Sequence, residues 1–96
     1  MSDFHVIIRG DSMWPTFSDG EKVTASKVSK KNLTIGTIVV SKHPLKSEVI
    51  IVKRIKNILT DNQLFLQGDN PDPLASEDSH NFGPVNIELV VGIINT

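Results

Sequence analysis

The sequence predicts an all-β domain: a small, partly open barrel or sandwich interrupted by one long acidic loop. Three observations predict it. The apolar runs are short and β-branched, turn chemistry separates them at regular intervals, and helix signals are poor. Phe4–Arg9 ("FHVIIR") reads as the first strand. Ser18-Asp19-Gly20-Glu21 is a turn. Lys22–Ser26 ("KVTAS") alternates weakly, and Asn32–Gly36 is a loop leading into the strand Thr37–Lys42 ("TIVVSK"). Pro44 ends that strand. Glu48–Lys56 ("EVIIVKRIK") is the longest strand candidate, and Asp61-Asn62 turns the chain into Gln63–Gln67 ("QLFLQ"). Single helical turns are expected within Ala25–Lys31 and Asn86–Leu89. Gly68–Phe82 ("GDNPDPLASEDSHNF") breaks the rhythm. A polar loop this long in so small a domain is usually functional or disordered.

The chain of 96 residues makes one domain, residues 1–96, with room for one modest core. Apolar residues are 39 %, charged residues 22 %, and the net charge is −1. This balance fits a soluble globular chain and does not point to nucleic acid as a partner. With no cysteine, disulfides, thiolate catalysis and Cys-based zinc sites are excluded. The apolar runs fall far short of the ~20 residues of a membrane-spanning helix, and the N-terminus lacks signal-peptide character. A cytoplasmic protein is expected, membrane association through a missing anchor or a partner being the alternative. No cofactor is called for. The three histidines are scattered, and the acidic loop lacks the ligand pattern of a calcium hand.

Two features carry candidate chemistry. "GDSMWPT" at 10–16 holds Ser12 in a glycine-led turn after an apolar run. In the strand "EVIIVKRIK", Lys53 shares a face with Val49, Ile51 and Ile55, while Arg54 lies on the other. A lysine in such a row ordinarily reaches out to water. If buried instead, its pKa falls. An ordinary lysine, with pKa ~10.4, is neutral in only about one in 2,500 molecules at pH 7, a cost of roughly 4.6 kcal/mol to a general base. Burial can remove ~3–5 units of that pKa, and Ser–Lys pairs use this in place of histidine. A Ser-His-Asp arrangement has less to support it. His5 and His43 read as surface residues, leaving only His80 beside Asp78.

Three segments in order, "GDSMWPT", "VKRI" at 52–55 and "GDNPDPLASEDSHNFGPV" at 68–85, resemble the type I signal peptidase family (S26) of Ser–Lys proteases. Within it, "RGDSMWPT", "SKHP" and the "GDNP" block are similar to the compact nickel-type superoxide dismutase maturation proteases. The resemblance implies that Ser12 is the nucleophile, Lys53 the base, and Ser76 the hydroxyl orienting the lysine. It implies an oxyanion hole at the turn of Gly10 and Asp11, using the Ser12 N–H; Gly10 lacks the side-chain donor some relatives have there. Gly68, Asp69, Asn70, Asp78 and Ser79 would hold the loop to the site, with Arg54 pairing to Asp69. His80 replaces the family's usual arginine and would hold Asp78 less firmly. Met13 and Trp14 are either packing or a wall for substrate. The implied reaction is removal of an N-terminal propeptide from a protein precursor, the nickel superoxide dismutase precursor. The alternatives are a signal peptidase catalytic domain and a non-catalytic peptide-binding β module.

Overall fold

The computed structural model describes residues 3–95. Seven strands form one antiparallel sheet: β1 (Phe4–Ile7), β2 (Lys22–Ser26), β3 (Ile38–Lys42), β4 (Ile50–Leu59), β5 (Gln63–Gln67), β6 (Val85–Asn86) and β7 (Val90–Ile94). Their order is β1-β2-β7-β3-β4-β5-β6, and the sheet curls into a half-barrel. Among the described residues the one α-helix is short, α1 (Ser79–Phe82), and sits in the acidic loop. The all-β expectation holds.

The central strand β3 is packed on both faces. Ile38, Val39, Val40 and Ser41 are all buried. Ile38 and Val40 join one apolar cluster, with Ile8, Met13, Phe17, Val23, Ala25 and Ile94. Val39 joins a second, with Ile55, Leu64, Leu66, Val85, Val90 and Ile93. Both faces of the sheet therefore carry core, which is why "IVV" is continuous rather than alternating.

Three elements differ from expectation. β7 stands between β2 and β3, yet its sequence, "VVGII", is broken by Gly92. The glycine is a packing requirement: a Cβ there would come within 2.7 Å of the Phe4 ring and 3.0 Å of the Ser26 carbonyl oxygen. β4 begins two residues later than expected and runs on to Leu59, because past the end of β3 it continues as the partner of β5, with an irregularity in that pairing between Ile55 and Asn57. Residues 50–54 pair with β3, and residues 54–59 pair with β5. The acidic loop is locally built. Asp72 caps a 3-10 turn at Pro73–Ala75, and Asp78 and Asn81 form a capping box on α1. The Asp61-Asn62 turn holds, both residues being left-handed at φ 60°, a conformation that Asp and Asn tolerate best after glycine. Of the single turns, Asn86–Leu89 contains the 3-10 turn Ile87–Leu89, while the earlier one falls at Lys30–Asn32, after β2 has claimed Ala25 and Ser26.

Gly92→Ala is expected to destabilise the fold by about 1–3 kcal/mol through overpacking, read as a lower urea midpoint at unchanged slope.

Candidate active site

Ser12 lies in the turn after β1, and Lys53 on β4. Their side chains meet: Lys53 Nζ is 2.9 Å from Ser12 Oγ. Lys53 is only 5 % exposed, and forms no ion pair among the described residues. Burial pushes its amine below the ordinary lysine value, against the opposing pull of Asp78 and Glu77. The lysine on an aliphatic strand face is thus buried rather than extended to water.

The acidic loop docks on the serine turn. Asn70 binds two successive carbonyls, its N–H donating to Ser12 O (2.9 Å) and its Nδ2 to Asp11 O (2.8 Å). In a planar trans peptide, C=O and N–H point in opposite directions. Holding the Asp11 and Ser12 carbonyls on the loop side therefore turns the Ser12 and Met13 N–H groups away from it. Neither N–H has a partner among the described residues. Gly10 opens this turn at φ 80° and donates its N–H to Asp19. Gly68 is required for the approach, since a Cβ there would overlap Ser76 Oγ and the Ser12 carbonyl oxygen.

A second tether comes from the neighbour of Lys53. Arg54 Nε and Nη2 grip Asp69 Oδ1 and Oδ2 at 2.9 and 2.7 Å. Asp69 Oδ2 also accepts the Thr16 hydroxyl. The Arg54 guanidinium, with help from Thr16, holds the Asp69 carboxyl below its usual value against a partial burial that would raise it.

Asp78 is buried and accepts from the Gly68 N–H (3.3 Å), the Ser76 hydroxyl (3.4 Å), the His80 N–H (2.9 Å) and the His80 ring (2.8 Å). Burial alone would raise its pKa; the His80 N–H and ring, with the Gly68 N–H, hold it below the ordinary carboxylate value. Ser76 is therefore bonded to Asp78, not to Lys53. His80, expected to hold Asp78 less firmly than an arginine would, bonds it through both its N–H and its ring. Ser79, also buried, accepts the Leu66 N–H through its hydroxyl and fastens α1 to β5. Met13 is 1 % exposed and belongs to the core, while Trp14 is half exposed at the surface. His5 is exposed, as expected. His43 corrects its expectation: it is buried at 5 % exposure, because its ring packs on Phe82 and hydrogen-bonds through both nitrogens.

A cavity of about 250 Å³ reaches the pair, lined by Val6–Arg9, Ser12, Met13 and Ile50–Lys53. Two free strand edges face it. β1 is an edge strand, and β4 has no partner opposite β3 before Arg54. Ile8 bonds to Glu21 and Gly20 on the β2 side, so by alternation the His5 and Ile7 backbone groups point outward. Ile55 and Val49 bond on the β3 side, so those of Ile50 and Val52 point to the cavity. A larger hollow of about 490 Å³ is lined by the acidic loop itself and reaches neither Ser12 nor Lys53. No three His, Asp or Glu side chains converge as a metal site among the described residues.

The Peptidase S24-like family model matches residues 1–88. The chain belongs to the Peptidase S24-like family. Its fold is thus of serine-peptidase type, a broader assignment than the signal-peptidase resemblance of the motifs. No curated protein matches the chain. No helix among the described residues is long and apolar enough to cross a membrane.

The buried amine has a consequence for stability. An unfolded lysine keeps its proton up to about pH 10.4, whereas folded Lys53 releases it earlier. Between the two values the unfolded chain binds more protons, so stability rises with pH there, and the cost of burying the charge is present in full below the folded value. Lys53→Met is therefore expected to be more stable than wild type at neutral pH, by about 1.4 kcal/mol per unit of depression. Its denaturation midpoint is expected to lack the wild-type rise on the alkaline side.

Proposed function

We propose that this chain is a serine endopeptidase with a Ser12–Lys53 dyad that removes an N-terminal propeptide from a protein precursor. The observation that carries the reading is the 2.9 Å approach of a water-shielded amine to the serine hydroxyl. The neutral amine accepts the Ser12 proton as Oγ attacks the scissile carbonyl. Oγ–C forms and the carbonyl π pair moves to oxygen, where the unpartnered Ser12 N–H, assisted by that of Met13, stabilises the oxyanion. Donors of this kind are each worth roughly 3–4 kcal/mol. Collapse breaks the C–N bond, and Lys53, now charged, protonates the leaving amine. The neutral lysine then activates a water to hydrolyse the acyl-serine and regenerate the hydroxyl.

The substrate enters as an extended strand between the free edges of β1 and β4, using main-chain bonds for affinity. The substrate we favour is the nickel superoxide dismutase precursor. The support is the combination of "RGDSMWPT", "SKHP" and "GDNP" with the docked loop, in which Asn70, Asp69 and Asp78 have bonded partners.

Mass spectrometry of the dismutase precursor incubated with the protein is expected to show one shortened product. Ser12→Ala is expected to abolish it, and Lys53→Met to slow it by roughly 10²–10⁴-fold. With Lys53 as base, the rate rises with pH up to the folded lysine value and then levels. Cleavage of a secretory preprotein in place of the dismutase precursor would move the substrate to signal peptides. Saturable peptide binding without turnover would make the chain a binding module.

A further inference from the structure

His43 is a buried titratable group with no part in the reaction above. It follows β3 in "SKHP", the motif for which the proposed chemistry has no use. Its Nδ1 accepts the Leu45 N–H at 3.0 Å. That bond requires Nδ1 to be unprotonated, so the neutral ring carries its proton on Nε2. Nε2 then donates to Glu77 Oε1 at 3.0 Å. The ring also lies 4.7 Å from that of Phe82 in α1. Among the described residues, this is the one side-chain hydrogen bond joining the β3–β4 turn to the acidic loop. Glu77 directly precedes Asp78, and these two carboxylates are the ones that act on the Lys53 amine.

We propose that His43 is a positioning residue for the Ser12–Lys53 reaction: by tying Glu77 and Phe82 to the β3–β4 turn, it fixes the Glu77 carboxylate relative to the lysine amine. The inference rests on the dyad reading. Glu77 is 60 % exposed, so without the imidazole its side chain is free to leave for water. Both ring nitrogens are committed, one as acceptor and one as donor. Protonation at Nδ1 would set two N–H groups against each other at Leu45, so the latch is made by the neutral ring. The charged groups acting at this contact are Glu77 itself, Lys46 and Lys53.

The side-chain geometry allows the two bonds to be separated. Asn at position 43 can accept from Leu45 as Nδ1 does but falls short of Glu77. Gln can donate to Glu77 as Nε2 does. The measurements are the titration of Lys53 by NMR of its labelled ε-carbon, assigned with Lys53→Met, and the acid limb of kcat/KM for peptide cleavage. His43→Asn, folded by circular dichroism, is expected to move both to lower pH by roughly 0.3–1 unit, as Lys53 loses the attraction of a held carboxylate. His43→Gln is expected to restore both to wild type. Glu77→Gln, which removes the charge and leaves the histidine in place, is expected to reproduce the downward shift, and decides the matter if His43→Asn does not fold. An unmoved or raised Lys53 midpoint in the folded variants would overturn the proposal and leave His43 a packing residue. If wild type shows no Ser12-dependent cleavage, the dyad reading fails, while the NMR titration still decides whether His43 sets the field at Lys53.

Discussion

The desolvated contact between Lys53 and Ser12 is the constraint around which the rest is arranged. Water would charge the amine, and a close carboxylate would charge it too. The fold has excluded the first and must control the second, since Asp78 and Glu77 both favour the charged lysine. Asp78 is handled by occupation. Its oxygens are taken by His80, Ser76 and the Gly68 N–H, so it acts on Lys53 only through space. The residue whose hydroxyl was expected on the lysine is instead one of these occupants. Burial outweighs the remaining attraction, and the amine ends below its ordinary value.

Position follows from alternation along β4. Lys53 and Arg54 are neighbours on opposite faces, yet both lead to the serine turn. Lys53 reaches Ser12 directly. Arg54 reaches Thr16 through Asp69. The turn is held across the strand from both sides, and Asn70 fixes the two carbonyls between. Displacing this turn means breaking several bonds together, from Thr16 to the Asp69 carboxylate, from Asn70 to two carbonyls and from Lys53 to Ser12, which is how a short loop is made stiff.

Most of this was legible where chemistry is local. β-branched runs and Asp/Asn/Gly turns located five strands, and period two placed Lys53 among aliphatic residues. Bringing Ser12 to Lys53, 41 positions away, is a matter of topology. In the sequence it was visible only through motif order. What stayed hidden depends on partners far along the chain. Gly92 weakens the strand pattern of β7 because its reason, the Phe4 ring, lies at the other end of the chain. His43 reads as a surface turn residue because both its covering ring, Phe82, and its acceptor, Glu77, come from the acidic loop. The capping box on α1 was readable in "DSHN" and was hidden only by its polar surroundings.

The gap between β1 and β4 runs against the usual treatment of edges, which are shortened, charged or covered. Ile7 and Ile50 flank it and are nearly half exposed. In the proposed reaction, the substrate strand is the missing neighbour that completes the curl. Laid there, it would cover the wall of the cavity that Lys53 shares with Ser12 and remove water from it. A less hydrated amine holds its proton less well. Binding of the peptide would then do more than align the scissile carbonyl: it would shift the lysine further toward the neutral form that abstracts the serine proton. Part of the energy of strand pairing is in this way directed to the base, and reaches it only when a chain long enough to bridge both edges is present.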